Sequence, residues 1–349
     1  MFPKGLALGI FDYENSDFQW LKLDKIEMNL EGITGITFKN DKYWFVSQES
    51  GKAGLYSLDK NFNLKDSYYL QKTKDAHSLI PFEDGFLIND TANNRLNKII
   101  FSEKDVQETI FWKYNDDLED TVHLNSVTKF EEKLFVSLFG YRNGDDWNTA
   151  KNGKIIQIPE NKILVDNLHH PHTLYADNES IYFLESKDSS IHKISKNGHH
   201  EIIKKIEGYV RGLALNEKYF YVGSSARRLK SKSRGTINPE EFKEPERYHS
   251  WVFRINRETL EIDRRDLTVY GAEIYDIVIL EHEYNIQCTV NPIILRMWKY
   301  ELEHLNDINS IQQMSSSKQS NNYGKNTQLS FKKKNKIQKF KNIFKNLSL

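Results

Sequence analysis

A hydrophobic strand pattern preceded by polar, mostly ionisable residues recurs six times along this chain. The copies follow one another at intervals of about 40 to 60 residues, which is typical of the four-stranded blades of a β-propeller. The innermost strands of a propeller all begin on one face around one axis, so the polar residues should converge there. The six copies begin at Glu31, Ala76, Val122, His169, Val210 and Ala272. We therefore predict an all-β fold, a six-bladed β-propeller with a polar ring at its axis.

Alternating apolar residues separated by turn residues predict four strands in each complete blade. In the first blade these strands are residues 33–38, 43–48, 54–58 and 66–70. The sixth repeat supplies only two strands, 273–280 and 284–290, before the pattern becomes helical. We expect two N-terminal strands, 6–11 and 18–24, to complete this blade, because a closed ring has no exposed sheet edge.

The strand pattern and the charge distribution divide the chain into three predicted parts: the propeller (1–290), a helical extension (291–307), and a flexible linker with a basic amphipathic tail (308–349). Basic and acidic residues number 49 each, but no acidic residue follows Asp307 and nine lysines do. The body is therefore acidic and the tail basic. An acidic body disfavours nucleic acid as a partner.

The tail carries an apolar stripe of helical spacing within residues 331–349. Such a segment can bind an anionic membrane surface or dock on a protein, and a solvated tail is the alternative. No apolar run reaches the roughly 20 residues that cross a bilayer. A single cysteine and an N-terminus without a signal-peptide pattern predict a cytoplasmic protein, peripheral at the membrane if its tail binds there.

Three histidines begin the inner strands of successive blades: His77, His123 and His172. Neutral imidazoles that converge on an axis can bind a divalent or transition metal ion. Their spacing matches no established metal motif, and hydrogen bonds between blade loops are the structural alternative. We keep the metal site as one hypothesis.

Acidic and basic residues complete the predicted ring. Glu31, Glu273 and Asp276 flank the axis once the ring closes, and a carboxylate pair there could serve as acid and base. Arg211 is predicted to point into the funnel, and Arg227 opens a long insertion, so either guanidinium could bind an anionic group. The alternative for Arg211 and Glu273 is a structural ion pair with each other across the blade boundary.

Two insertions, residues 140–153 and 226–250, follow the second strands of the third and fifth blades. In a blade that starts at the funnel face, the loop between the second and third strands returns to that face. Long loops in compact folds are usually lids or binding loops. We expect both insertions to border the polar ring.

The pair Glu31-Gly32 is similar to the opening of the first blade in six-bladed calcium-dependent lactonases of the gluconolactonase and senescence-marker class, and Asn125 could match another ligand of their metal. This resemblance implies the propeller fold. At the later ligand positions, which are Asn and Asp in that class, this sequence has His172 and Arg211. An arginine would repel calcium, so the resemblance argues against a calcium lactonase.

A second resemblance covers roughly residues 75–290. The motifs Pro171-His172, Arg211–Ala214 followed by residues 222–227, and Glu273–Asp276 look like an uncharacterised bacterial propeller-like family, known only as a domain of unknown function. This resemblance implies the propeller fold and the location of the site, but it does not imply a particular reaction.

We therefore predict that the funnel binds a small polar, anionic ligand, sugar-derived or carboxylated. Hydrolase or lyase chemistry would use His172 or Glu273 as base and Arg211 as a charge partner. The other predicted ligand-binding residues are Glu31, His77, Asn125, Asp276 and Arg227. The alternatives are a non-catalytic interaction scaffold recruited by the basic tail and a metal-dependent oxidoreductase using the histidines.

Overall fold

A computed structural model describes residues 8–21, 23, 32–49, 52–102, 105–144, 146–226, 249–271 and 273–280. Several predictions fall outside these residues: Glu31, Arg227, most of the second insertion, the strand at 284–290, the helical extension and the basic tail. The domain boundaries and the tail's partner therefore stay predictions.

The chain folds into a β-propeller in which each complete blade is an antiparallel meander with its strands in sequence order. The first blade comprises β3 (Gly32–Lys39), β4 (Lys42–Glu49), β5 (Lys52–Asp59) and β6 (Leu64–Leu70). The second comprises β7 (Ala76–Phe82), β8 (Gly85–Asp90), β9 (Arg95–Phe101) and β10 (Val106–Lys113). The third comprises β11 (Leu124–Phe130), β12 (Lys133–Leu138), β13 (Gly153–Ile158) and β14 (Lys162–Leu168).

Two further blades and a hairpin complete the strands of the described residues. The fourth blade comprises β15 (Pro171–Ala176), β16 (Ser180–Glu185), β17 (Ser190–Ser195) and β18 (His200–Lys205). The fifth comprises β19 (Tyr209–Leu215), β20 (Tyr219–Ser225), β21 (Ser250–Asn256) and β22 (Ile262–Asp266). The N-terminal hairpin pairs β1 (Gly9–Asp12) with β2 (Asp17–Trp20).

Two single-turn 3₁₀ helices, Thr91–Asn93 and Trp147–Thr149, interrupt the described strands. Across the described ranges, no helix combines the length and the apolar character that a bilayer crossing requires.

The described residues form five four-stranded blades, where the sequence predicted six. The predicted N-terminal hairpin is present, but residues 273–280 run alongside the axis without pairing into a described sheet. Residues 275–280 nevertheless line the same central cavity as β3, β7, β11, β15 and β19. Six segments therefore surround the axis, although only five of them belong to complete blades.

Apolar clusters close the ring between neighbouring units. Trp44 and Val46 of the first blade pack with Phe86 of the second, and similar clusters join the second blade to the third, the third to the fourth and the fourth to the fifth. The hairpin and residues 273–280 bridge the fifth blade and the first through two more clusters. Both ends of the described chain thus pack at this junction, but the hairpin is a separate two-stranded sheet and residues 273–280 form no strand with it.

Polar contacts between inner strands add a belt inside this apolar ring. Each uses a side-chain oxygen that accepts a backbone N–H from the next inner segment: Ser78 from Val127 (3.3 Å), Ser126 from Leu174 (3.0 Å), Thr173 from Gly212 (3.3 Å) and Asp276 from Ile36 (3.0 Å). The Asp276 contact joins the last described inner segment to the first. Asp276 thus occupies the place that hydroxyl-bearing residues occupy in three blades.

Candidate functional site

A cavity of about 740 Å³ lies on the axis between the inner segments. His77, Asn125 and His172 border it near the strand starts, and Asn216 and Glu217 border it beyond the end of β19. Small-molecule sites in proteins usually measure about 300 to 1,000 Å³. The cavity is therefore large enough for a small organic ligand.

His77 borders the cavity with one ring nitrogen already engaged. Its Nδ1 lies 3.1 Å from the carbonyl oxygen of Asp75 and 3.1 Å from the hydroxyl of Thr91. A carbonyl oxygen can only accept, so Nδ1 carries the proton. Thr91 in turn donates to the carbonyl oxygen of Leu124 at 2.6 Å. Burial lowers the pKa of His77, so its ring is neutral and Nε2 is an unprotonated acceptor.

His172 repeats this arrangement two blades further along. Its Nδ1 lies 3.1 Å from the carbonyl oxygen of His170 and 2.6 Å from the hydroxyl of Ser186, which donates to the carbonyl oxygen of Val210. Ser186 follows His172 by 14 residues, as Thr91 follows His77 by 14. Burial, and then the charge of Arg211, hold the pKa of His172 well below its ordinary value. Its Nε2 is therefore also an unprotonated acceptor.

Asn125 lies on the blade between the two histidines and is only 4% exposed. Its Nδ2 is buried and has no hydrogen-bond partner among the described residues. A buried donor without a partner costs about 1–3 kcal/mol, and such groups are rare in folded proteins. A ligand oxygen in the cavity would satisfy this donor.

Asp276 borders the cavity on the sixth inner segment. Its Oδ2 accepts from the backbone N–H of Ile36 at 3.0 Å and its Oδ1 from that of Ile277 at 2.9 Å. Burial raises the pKa of Asp276 to about 7, and the two N–H groups offset this effect only in part. The carboxyl group can therefore gain or lose a proton near neutral pH.

Arg211 and Glu273 form an ion pair beside the ring, at 3.2 Å between Nη1 and Oε2. The guanidinium lies over the rings of Tyr209 (4.6 Å to the centroid) and Tyr275 (4.9 Å). Neither member of the pair is among the residues that line the cavity, whereas Tyr275 is. The Arg211–Glu273 pair, which the sequence left as an alternative, is thus present in the structure.

His123 does not join His77 and His172 at the cavity. Its Nδ1 lies 2.8 Å from Asp120 Oδ2, and its ring packs against Phe139 and Trp147. In the described part of the chain, one group of three His or carboxylate ligands has its atoms mutually within 4.8 Å: His169, Glu185 and Asp188. The three predicted histidines do not form such a group. The His123 ring packs edge-on against that of His77, with 4.8 Å between the ring centroids, but His123 does not line the cavity.

The first insertion reaches the start of the fourth blade. Burial keeps the pKa of His170 at about 3, and its Nε2–H donates to the carbonyl oxygen of Trp147 at 2.8 Å. Lys187 donates to the carbonyl oxygen of Asn148 at 2.8 Å. His170 also stacks on Phe139, which packs against His172. Part of the insertion therefore lies beside the polar ring, at the end where the inner strands begin.

Sequence analysis missed three residues that shape this site: Thr91, Ser186 and Tyr275. The equal spacing of the two hydroxyl residues from their histidines was a usable signal. Aligning Tyr275-Asp276 with Arg211-Gly212 would have placed Tyr275 in the ring. The structure does bring His77, Asn125, His172 and Asp276 to one cavity.

Residues 39–288 match the family described as Domain of unknown function (DUF4915). The chain belongs to this family. The predicted relationship to an uncharacterised propeller family is thereby confirmed. A comparison with curated proteins gave no match.

The chain also shares its fold with solved structures of low sequence identity. A luciferin-regenerating enzyme is 10% identical, with a TM-score of 0.51 over 70% of this chain and 78% of that one. A chain of a nidogen/laminin complex is 11% identical, with a TM-score of 0.50 over 72% and 84%. A candidate gluconolactonase is 11% identical, with a TM-score of 0.43 over 67% and 90%. At these identities the first two similarities support the fold alone. The TM-score of the third is too low to support any conclusion.

Proposed function

We propose that this protein binds a small polar molecule in its central cavity, through His77, Asn125 and His172. The observation that carries the proposal is the buried Nδ2 of Asn125, which has no partner among the described residues. It lies on the blade between two histidines whose Nδ1 atoms are engaged and whose Nε2 atoms are unprotonated. A ligand that accepts from Asn125 and donates to the histidines would satisfy all three.

The chemistry of these groups favours a sugar-derived ligand over a simple anion. Two imidazole acceptors suit ligand hydroxyl groups, and the Asn125 amide suits a carbonyl or ring oxygen. Arg211, the predicted anion partner, is paired with Glu273 and does not line the cavity. A hydroxylated compound with a carbonyl or ring oxygen is therefore the class that we infer.

Hydrolase or lyase chemistry is the reaction class that the same groups support. Asp276, whose pKa is about 7, could exchange a proton with a ligand near neutral pH. His172, the base inferred from sequence, keeps a neutral ring with an unprotonated Nε2. Glu273, the other predicted base, already accepts from Arg211.

Thermal-shift measurements with sugars, sugar lactones and organic acids test the binding proposal, because a ligand of the folded state raises its melting temperature. Asn125→Leu should lower the affinity for a stabilising ligand by about tenfold or more, which corresponds to one lost hydrogen bond of about 1.4 kcal/mol. Asn89→Leu is the matched control, since Asn89 is also buried with an unpartnered amide but does not line the cavity. Equal ligand shifts in both variants, or no stabilising ligand, would contradict the proposal.

A further inference from the structure

We propose that the ligand of the central cavity carries a protonated amine, whose ammonium group pairs with the carboxylate of Asp276. This inference rests on the proposed function and adds a charge to its ligand. The first observation is the composition of the cavity wall. Its described charged or basic side chains are Asp276, Glu217 and the neutral His77 and His172, with no lysine or arginine. A cavity of this charge favours a cation.

The second observation is that ring closure does not require a carboxylate. Ser78, Ser126 and Thr173 accept the same inter-strand N–H bond in three other blades, each through a neutral oxygen. Asp276 makes this contact with a group that is costly to bury when charged. A carboxylate at this position therefore has a use beyond closure, and binding of a cation would compensate its cost.

The third observation is that Asp276, which lines the cavity, keeps acceptor capacity. Each of its oxygens accepts one backbone N–H, whereas a carboxylate oxygen can accept two hydrogen bonds. Its raised pKa arises from burial, and no charged side chain contributes to it among the described residues. The cation on the adjacent inner strand, Arg211, is paired with Glu273. An ammonium group in the cavity would be the missing counter-charge.

The groups around Asp276 indicate how the affinity for the ligand should change with pH. The backbone of β3 supplies Ile36, and β19 supplies Gly212 and Arg211. Residues 273–280 supply Glu273, which pairs with Arg211, and Tyr275, which is adjacent in sequence. His77 and His172 face the same cavity in neutral form. Asp276, whose pKa is about 7, changes its charge between pH 6 and pH 8. Affinity for an amine that stays protonated should rise by about tenfold over this interval, as the ionised fraction of a carboxyl with a pKa near 7 does.

The test compares three hexoses that differ at one carbon: glucose, glucuronate and 6-amino-6-deoxyglucose. We expect the amine to bind the full-length protein at least tenfold more tightly than glucose, and glucuronate to bind most weakly, by calorimetry and thermal shift. Asp276→Asn should remove the preference for the amine while glucose binding persists. Asp276→Ser, which keeps the acceptor used in other blades, repeats the test if the Asn variant does not fold.

Four results would overturn the inference. Glucose or glucuronate could bind as tightly as the amine, or the amine preference could survive both Asp276 substitutions. The preference for the amine could instead be lost in Glu217→Gln. Alternatively, Mg²⁺ or Ca²⁺ alone could stabilise the protein more than the amine does, in a way that depends on Asp276. If glucose binds through Asn125 without an amine preference, only this inference fails. If none of the three sugars binds, the inference fails, and the wider screen with the Asn125 and Asn89 variants decides the proposed function.

Discussion

Asp276 accepts a hydrogen bond from the backbone N–H of Ile36, a residue 240 positions earlier in the chain, at 3.0 Å. This bond links the last described inner segment to the first, so it closes the belt around the axis. Asp276 also borders the cavity, so one side chain takes part in ring closure and in the proposed ligand site. The charge of this carboxyl group should therefore affect both the stability of the ring and the binding of the proposed ligand.

The stability of the protein should depend on pH through Asp276. Its pKa is about 7 in the folded chain, against an ordinary value of 3.8. Because the folded state holds the proton more tightly, its contribution is fully present below about pH 4 and is lost as pH rises toward 7. We expect a loss of roughly 3 kcal/mol in the free energy of unfolding between pH 5 and pH 8 from this group alone.

Asp276→Ser isolates this contribution in urea unfolding at several pH values. The variant keeps a neutral acceptor for Ile36 but cannot ionise. The buried histidines act in the opposite direction, since their lowered pKa values favour the folded state as pH rises, and they are common to both proteins. A wild-type-minus-variant difference that stays flat from pH 5 to pH 8 would refute the assignment.

Gly212 should tolerate alanine less well than a glycine with similar backbone angles in open space. Its φ is +66°, and an added Cβ would lie 3.0 Å from Cα of Asp276. Gly198 has a φ of +83° with no atom within 4 Å of such a Cβ. Left-handed backbone costs about 1–2 kcal/mol for alanine at either site. Crowding should add about 1–3 kcal/mol at Gly212 alone, measured by chemical denaturation. Equal losses in the two variants would show that the inner segments do not pack this closely.

The strand repeats were predictable because both the apolar alternation and the polar strand starts are local patterns. The four strands of the first blade were predicted within about two residues at each end. The blade count was wrong because the described residues form five four-stranded blades, and residues 273–280 of the sixth repeat pair into no described sheet. A strand start in sequence shows that a segment reaches the axis, not that three further strands pair with it.

The candidate site was predictable only in part. His77, Asn125, His172 and Asp276 could be placed at the axis because they share one position range in the repeat. Arg211 shares that range, yet its long side chain pairs with Glu273 and lies over two tyrosine rings, and it does not line the cavity itself. Side-chain direction depends on neighbours from other blades, and a single sequence does not reveal them.

The proton on His172 Nδ1 should depend on Ser186. Ser186→Ala removes a partner of Nδ1 and the donor to the Val210 carbonyl, which should cost about 1–3 kcal/mol in unfolding free energy. We also expect more of the Nε2–H tautomer in ¹⁵N NMR of the histidine side chains and weaker binding of any cavity ligand. Ser189→Ala is the control, since Ser189 donates to the Gly208 carbonyl and, among the described residues, forms no hydrogen bond with an imidazole. A tautomer that is unchanged by Ser186→Ala, or changed equally by the control, would argue against this role.

Glu108 should be the main polar support between the first and second blades. This buried carboxylate accepts from the backbone N–H groups of residues 71, 72 and 73 and from the Thr73 hydroxyl, at 2.5–3.0 Å. Glu108→Gln replaces one acceptor oxygen with a donor that faces other donors, so we expect a loss of roughly 3 kcal/mol in urea unfolding. Glu131→Gln is the control, because Glu131 is half-exposed and lies 3.6 Å from Lys196, where a change of less than about 0.5 kcal/mol is expected. Similar stability losses in the two variants would mean that the apolar cluster alone holds these blades together.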